Sequence, residues 1–218
     1  MDNVIRPYQP ADREALHQIG ADTAFFGDPV EAYLDDRHVF IDGFYAYYTD
    51  FEPEHAWVAC GDGRVVGFLT GCADTARRQR ILRNKIAPRL LMGWLQGKYH
   101  TGPKTWHYLL SGLRAVLLGE VPHPNLSGYP AHLHINLLPD WRGRGLGQQL
   151  ISACLDQMTS LGLPGIHLET TSMNIAAVHL YEKMGFRILE AKSTHLYQGL
   201  VDQPVEIRVY GRKLTRSM

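Results

Sequence analysis

The segment Pro139–Gly147, which reads PDWRGRGLG, constrains the fold of this chain more than any other feature. It places Gly143, Gly145 and Gly147 between an alternating apolar run, which is typical of a strand, and a run with apolar residues at helical spacing. Because glycine lacks a Cβ, the backbone turns tightly here and successive N–H groups converge on an anion at the positive end of the following helix. The segment therefore predicts a phosphate-binding turn between a strand and a helix.

The sequence on either side of this turn predicts an α/β arrangement. Upstream, Leu133, Ile135 and Leu137 alternate with polar residues, as expected for a strand. Downstream, an apolar stripe predicts a helix over 147–161, and residues 165–171 form a second strand pattern. A strand, a helix and a strand with short connections predict a right-handed parallel crossover.

Hydrophobic periodicity and turn residues predict the remaining elements. Further strands are expected at 3–8, 56–60, 64–72, 186–192 and 205–213. Further helices are expected after Pro10 and over 29–49, 76–99, 105–118 and 174–184. A Pro- and Gly-rich stretch at 119–130 separates the helical part from the next strand. We therefore expect a helical insert over about 74–128, between the third and fourth strands.

Composition excludes several classes of partner and site. Lys+Arg and Asp+Glu both number 22, so no overall field attracts nucleic acid, and nucleic-acid binding is not expected. The cluster of basic residues from Arg77 to Arg89 is interpreted as a solvated helix face. Three dispersed cysteines and the absence of HExxH spacing predict neither disulfides nor a metal site. With no signal peptide and no long apolar stretch in the sequence, we expect a cytoplasmic protein without a membrane partner.

Spacing tests narrow the phosphate ligand. The dinucleotide pattern G-x-G-x-x-G fails because Gln148 stands where its third glycine would be, and the ATP-type pattern GxxxxGK[ST] is absent from the sequence. The pattern R-x-x-G-x-G remains, at Arg142, Gly145 and Gly147. It resembles the loop that binds the acetyl-CoA pyrophosphate in the GNAT superfamily of N-acetyltransferases.

A second motif strengthens this resemblance. The GNAT run N-x-x-A-x-x-L-Y-x-x-x-G-F is matched downstream at Asn174, Ala177, Leu180, Tyr181, Gly185 and Phe186. Together the two motifs cover about residues 131–190. The sequence around the first motif is also similar to that of the acetyltransferase-like C-terminal domain of O-GlcNAc hydrolases and of its free-standing bacterial relatives.

The resemblance implies a fold and a donor site. The fold is a single α/β domain over 1–218, with a mixed, mostly antiparallel sheet, a splayed parallel pair of strands and the helical insert. The cosubstrate implied is acetyl-CoA, with no metal. Its arm would contact the backbone of Leu137 and Leu138 and the side chain of Asn174. Its phosphates would lie against Arg142, Gly143, Arg144, Gly145, Leu146 and Gly147.

The resemblance also implies direct transfer of acetyl to an amine, with Tyr181 as the general acid. For the general base, Glu169 and His134 rank together, and His132 is a further candidate. The aromatic residues at 44–51 are interpreted either as part of an acceptor pocket or as core. The alternative function is a catalytically silent module that holds acetyl-CoA or a peptide. The amine acceptor and the choice between monomer and homodimer remain open at this point.

Overall fold

The computed structural model describes residues 4–214. Within them, one sheet has the strand order β1-β2-β3-β4-β5-β7-β6. Its strands are β1 (Val4–Pro7), β2 (Ala56–Gly61), β3 (Arg64–Cys72), β4 (Ala131–Leu137), β5 (Gly165–Thr171), β6 (Arg187–Thr194) and β7 (Val205–Lys213). Every neighbouring pair is antiparallel except β4 and β5, which are parallel. The mixed, mostly antiparallel sheet expected from the sequence is confirmed.

The helices fall between these strands as predicted in order but not always in extent. They are α1 (Arg13–Asp22), α2 (Arg37–Phe40), α3 (Ala46–Asp50), α4 (Thr75–Ile81), α5 (Ala87–Leu95), α6 (Pro103–Leu117), α7 (Leu146–Ser160) and α8 (Ile175–Lys183). The helix expected from residue 29 begins only at Arg37, where the Asp36 side chain accepts the His38 N–H. The N-cap of α2 therefore decides where this helix starts.

The parallel pair opens into a gap. Only Ala131 with Ile166 and His132 with His167 pair between β4 and β5. Beyond them, β4 continues to Leu137 and β5 to Thr171 without pairing to each other. Neighbouring strands that diverge leave backbone groups facing the space between them. The predicted splayed pair is confirmed, and it creates a cleft through the middle of the sheet.

Helices cover both faces of the sheet. On one face, α7 and α8 bury Leu150, Cys154 and Val178 against β4 and β5. On the other face, α1 and α3 bury an aromatic core that includes Tyr47 and Tyr48. The gap between β4 and β5 therefore connects the two helical layers. A ligand in this gap could contact residues from both sides of the sheet.

The helical insert differs from its predicted form. The helix expected over 76–99 is interrupted by a π-helical turn, Leu82–Ile86, and α5 ends at Leu95. Pro88 lies in the first turn of α5 and has no N–H, which explains why a regular ladder does not run through this region. Helix α6 forms as predicted, but its apolar stripe faces outward. Within residues 4–214, no helix is long and apolar enough to cross a membrane.

Candidate functional site

A cavity of about 390 Å³ occupies the gap between β4 and β5. On the α8 side it is lined by Thr171, Asn174 and Tyr181, and on the opposite side by His134, Asn136 and Glu169. Its other aromatic lining residues are Phe26, Tyr33, Phe40, Phe44, Tyr45, Tyr108 and Tyr197. The cavity therefore brings together two residues of the second sequence motif, the candidate bases His134 and Glu169, and a wall of aromatic side chains.

The glycine turn combines positive φ angles with open space above the backbone. Gly143 and Gly145 have φ of 73° and 79°, which side-chain-bearing residues rarely adopt, and no atom lies within 4 Å of a Cβ added at either position. Gly147 has a different role, because a Cβ there would lie 2.9 Å from Leu180 Cδ2, so this side chain of α8 would have to shift. The first intrahelical hydrogen bond of α7 runs from Gln149 N–H to the Gly145 carbonyl. The preceding N–H groups are free to bind an anion.

Two arginines flank this turn, as predicted, and both are exposed. The Arg142 Nε donates to the Leu137 carbonyl at 3.1 Å. The Arg144 guanidinium lies over the Trp141 ring, 4.5 Å from its centroid. Each side chain is thus held near the start of α7 by a contact that leaves part of its guanidinium accessible to an anion.

The two leucines expected to offer backbone groups are not equivalent. The Leu138 N–H donates to the Val66 carbonyl at 3.0 Å, and the Leu138 carbonyl accepts from Trp141 N–H at 2.9 Å. Successive residues of a strand direct their backbone groups to opposite edges, so the Leu137 N–H and carbonyl face the gap. The Leu138 N–H is therefore not available to the arm of acetyl-CoA as expected, because it donates to β3. Leu137 lies at the open edge of β4.

Asn174 and Tyr181 occupy the α8 side of the cavity. Asn174 is the N-cap residue of α8, yet its side chain makes no capping hydrogen bond, which leaves its amide free for a ligand. Tyr181 is buried, and its ring contacts Phe186 and Tyr210. Burial raises the pKa of the Tyr181 hydroxyl, so the group stays protonated and can donate.

The three candidate bases have different environments. His132 is buried and bonded at both ring nitrogens, to the Tyr48 hydroxyl at 2.8 Å and to Thr75 Oγ1 at 2.7 Å. His134 lines the cavity, but burial, with smaller effects of Arg78 and His167, lowers its pKa to about 3. Glu169 also lines the cavity and keeps access to solvent, and the protein atoms around it raise its pKa. A carboxylate with a raised pKa accepts a proton more readily than an imidazole with a pKa of about 3.

The aromatic residues at 44–51 divide between the two interpretations. Phe44 and Tyr45 line the cavity, whereas Tyr47 and Tyr48 are fully buried in the core beneath α1. Sequence reasoning missed Phe26, Tyr33, Tyr108 and Tyr197, and it missed Asn136. These residues come from separate segments with no shared spacing, so no local pattern identifies them.

Asn136 is held in the cavity wall by hydrogen bonds on both sides of its amide. It accepts from the Tyr45 hydroxyl at 3.0 Å and donates to Thr23 Oγ1 at 2.7 Å. Thr23 in turn donates to the Ile19 carbonyl in α1. This chain fixes the position of the wall on the side opposite α8. Among the described residues, no group of three or more His, Cys, Asp or Glu side chains is placed to hold a metal ion.

Comparisons with known proteins agree with this architecture. The family model described as the acetyltransferase (GNAT) family matches residues 23–186. The crystal structure of SsHAT is 32% identical, with a TM-score of 0.74 over 99% of this chain and 100% of that one. The structure of yncA, an acetyltransferase from Salmonella typhimurium with its cofactor acetyl-CoA, has a TM-score of 0.56 at 16% identity over 99% and 95% of the two chains. This second likeness shows a shared fold.

Curated relatives match over shorter segments. Mycothiol acetyltransferase from Nocardiopsis dassonvillei is 48% identical over 48 residues, which are 22% of this chain and 14% of that protein. The chain therefore spans only a small part of the length of this relative. The family resemblance stated from the two sequence motifs is confirmed by the family match and by the solved structures.

Proposed function

The chain belongs to the acetyltransferase (GNAT) family, and we propose that it transfers an acetyl group from acetyl-CoA directly to an amine. One observation carries this proposal. The glycine turn before α7 lies next to the open edge of β4, where Arg142 hydrogen-bonds to Leu137, and β4 also supplies lining residues to the cavity that Tyr181 and Glu169 line. A phosphate-bearing donor and an amine acceptor would therefore meet in the gap between the parallel strands.

The residues of the turn fit a phosphate-bearing arm. Gly143 and Gly145 leave open space above the backbone, and the free N–H groups at the start of α7 add a positive potential. Arg142 and Arg144 provide charge-assisted donors at the same position. Further along the gap, the Leu137 N–H at the open edge of β4 and the uncapped Asn174 side chain could hold an extended arm, whereas the Leu137 carbonyl already accepts from Arg142.

The cavity also supplies groups for the chemistry. When bound, acetyl-CoA supplies a thioester whose carbonyl carbon exchanges its bond to sulfur for a bond to the amine nitrogen. Glu169 would accept the proton that the amine loses, because its carboxylate faces the cavity and has a raised pKa. Tyr181 would donate its hydroxyl proton to the departing sulfur. The Leu137 N–H, if directed at the carbonyl oxygen, would stabilise the charge that develops there.

The proposal is tested by separating binding from turnover. We would titrate the protein with acetyl-CoA by calorimetry and then measure thiol release with a panel of primary amines. Tyr181→Phe should bind acetyl-CoA as the unaltered protein does but lose roughly a hundredfold or more in kcat. Tyr210→Phe is the matched control, because Tyr210 is also buried and contacts the Tyr181 ring.

Three results would contradict parts of the proposal. Tight acetyl-CoA binding without thiol release for any amine would favour a module that binds the coenzyme without turnover. Absence of acetyl-CoA binding would reject the donor site itself. Equal kcat for Tyr181→Phe and the unaltered protein would remove Tyr181 from the role of general acid.

A further inference from the structure

The acceptor side of the cavity has a composition that selects among amines. We propose that the acceptor is a primary monoamine with an aromatic or bulky apolar body, which enters as an ammonium ion and loses its proton to Glu169. This inference rests on the proposed function, because it concerns the acceptor half of the same cavity. It goes further in naming a class of substrate.

The wall opposite α8 is aromatic and comes from separate parts of the chain. Tyr33 contacts Tyr108 with ring centroids 4.6 Å apart. Phe26 meets Tyr197 edge to face at 4.9 Å, which joins the turn after α1 to the segment between β6 and β7. Phe26 has a φ of 53°, an unusual conformation for a residue with a bulky side chain. Strain of this kind concentrates at ligand sites, and here it directs an aromatic ring to the cavity.

The charges around the cavity favour one amine group and no acid group. Glu169 is the one carboxylate among its described lining residues, and no Lys or Arg side chain lines it, although Arg78 lies behind Phe44 and affects His134. His134 stays neutral, because burial lowers its pKa to about 3. An ammonium ion is attracted both by the Glu169 carboxylate and by the faces of the aromatic rings.

Other classes of acceptor fit less well. A polyamine would bring a second ammonium group without a second carboxylate to meet it. An amino acid would bring a carboxylate into a cavity where no lining cation pairs with it. An amino sugar could bond its hydroxyl groups only to the Thr, Asn and Tyr polar atoms of the lining and not to the ring faces, so glucosamine is included among the test amines. A monoamine with an apolar body carries no second ammonium group, no carboxylate and no set of hydroxyl groups that would need partners in the cavity.

The experiment compares amines that differ in a single group. 2-Phenylethylamine is compared with phenylalanine, which adds only a carboxylate, with 1,4-diaminobutane, which replaces the ring by a second amine, and with glucosamine. We expect kcat/KM for 2-phenylethylamine to exceed the other values by at least about tenfold. Binding of 2-phenylethylamine is measured separately by calorimetry, without acetyl-CoA. Tyr197→Ala should weaken this binding at least about fivefold and leave acetyl-CoA binding unchanged.

The outcomes separate this inference from the proposed function. Tyr8→Ala is the control, since Tyr8 is a half-buried aromatic residue outside the cavity lining. If diaminobutane or glucosamine is acetylated and 2-phenylethylamine neither binds nor reacts, the inference is wrong and the acetyltransferase proposal stands. If acetyl-CoA does not bind, the donor site fails. In that case, amine binding that is sensitive to Tyr197→Ala still supports the acceptor assignment, and its absence overturns it.

An independent observation concerns the outer face of α6. Trp106, Leu110, Leu113 and Leu117 follow one another at spacings of four, three and four, and they are between 57% and 77% exposed. On the opposite face only Thr105 and Ala115 are fully buried, and the half-buried Tyr108 packs against Tyr33. This spacing is that of a seam between two paired helices. We infer that this α6 stripe, formed by the four exposed residues named above, joins two copies of the chain about a two-fold axis.

The exposed area agrees with such a dimer. Together with the flanking Leu109 and Val116, the α6 stripe exposes roughly 700 Å² of apolar residues, close to the ~800 Å² that each partner buries in a standard interface. A continuous apolar patch of this size is larger than most monomeric proteins expose. A two-fold axis needs only one such patch, because the same residues serve both copies.

Sedimentation equilibrium from about 1 to about 100 μM tests this inference. The unaltered chain should be dimeric, and the double variant Leu110→Glu/Leu117→Glu should be monomeric with unchanged acetyl-CoA binding. Leu161→Glu is the matched control, since Leu161 is comparably exposed outside the stripe. A monomeric unaltered chain overturns the inference. The charged residues from 75 to 117 are all Arg or Lys, which would favour contact with an anionic membrane. If the unaltered chain is monomeric and co-sediments with phosphatidylserine vesicles, the stripe is assigned to a membrane surface instead.

Discussion

The Arg142 side chain closes the glycine turn onto the open edge of β4, because its Nε donates to the Leu137 carbonyl at 3.1 Å. Its Nη2 also lies 3.5 Å from the Gly27 carbonyl, in the turn that carries Phe26. One guanidinium therefore links the glycine turn, the edge of the gap and the backbone next to Phe26. A bound anion that moved the Arg142 guanidinium would therefore change its contacts with Leu137 and Gly27 at the same time.

Replacement of Arg142 should weaken donor binding. Arg142→Ala removes both the charge and the contact with Leu137, so we expect the Kd for acetyl-CoA to rise at least about tenfold. Arg142→Lys should recover only part of the affinity, because an ammonium group lacks the planar fork of a guanidinium. Calorimetric titration measures both. Arg89→Ala, an exposed arginine of α5, is the control, and equal Kd values for the Arg142 and Arg89 variants would refute the assignment.

Substitutions at Gly145 can separate backbone strain from charge. Gly145→Asn and Gly145→Asp both place a side chain at φ of 79°, which raises the free energy of the folded state by about 1 kcal/mol. The two side chains are similar in size, and only Asp adds a negative charge where phosphate is expected. We predict that Gly145→Asp binds acetyl-CoA at least about tenfold more weakly than Gly145→Asn. Equal affinities, with equal melting temperatures, would show that no anion binds at this turn.

The local parts of this site were predictable from the sequence. The turn from Arg142 to Gly147 and the run from Asn174 to Phe186 each lie in one segment, so both can be matched to the motifs of the family that they resemble. The positions of the strands along the chain follow from hydrophobic periodicity, and the parallel pair follows from the strand, helix and strand arrangement. In both cases the physical constraint acts between residues that are close in the chain.

The parts that depend on distant residues were not predictable. The Leu138 N–H is occupied because β3 places the Val66 carbonyl opposite it, which no property of Leu138 itself indicates. Helix α6 has the period of an amphipathic helix, but periodicity does not say whether the apolar face meets the core or solvent. The aromatic wall unites Phe26 and Tyr197, which are separated by most of the chain.

The ion pair between Arg6 and Asp12 should make stability depend on pH. Arg6 donates to both Asp12 carboxylate oxygens, at 2.6 and 2.7 Å, and Gln9 N–H donates to one of them. The Arg6 hydrogen bonds lower the pKa of Asp12, although burial opposes them. A lowered folded-state pKa gives stability that is present above the unfolded-state value of about 3.9 and is lost as pH falls through the folded-state value.

Asp12→Asn should therefore lower the free energy of unfolding by about 2 kcal/mol at neutral pH. The difference in the free energy of unfolding between the variant and the unaltered protein should shrink below about pH 4, because Asp12 of the unaltered protein then becomes protonated and loses its charge. Urea unfolding at several pH values measures it. Asp156→Asn, an exposed aspartate of α7, is expected to change stability little. A difference for Asp12→Asn that stays constant at all pH values would rule out the ion pair as its source.

The assignment of Glu169 as the base predicts the form of the pH profile. A base must be deprotonated, so kcat/KM should rise with pH as Glu169 loses its proton. The midpoint should lie above the ordinary glutamate pKa, because the surrounding protein partly desolvates this solvent-accessible carboxylate. No step should appear near the ordinary histidine pKa, since His134 has a pKa of about 3. The acceptor amine also titrates, so the profile is recorded with two amines of different pKa.

The limb that belongs to Glu169 should stay in place when the amine is changed, whereas the limb that belongs to the amine should move. Glu169→Gln should abolish the first limb and lower kcat/KM by roughly a hundredfold or more, with acetyl-CoA affinity retained. Glu54→Gln, an exposed glutamate outside the cavity lining, controls for the loss of a carboxylate. If His134→Gln removes the limb and Glu169→Gln keeps it, the base is His134, and the carboxylate serves only to attract the ammonium ion.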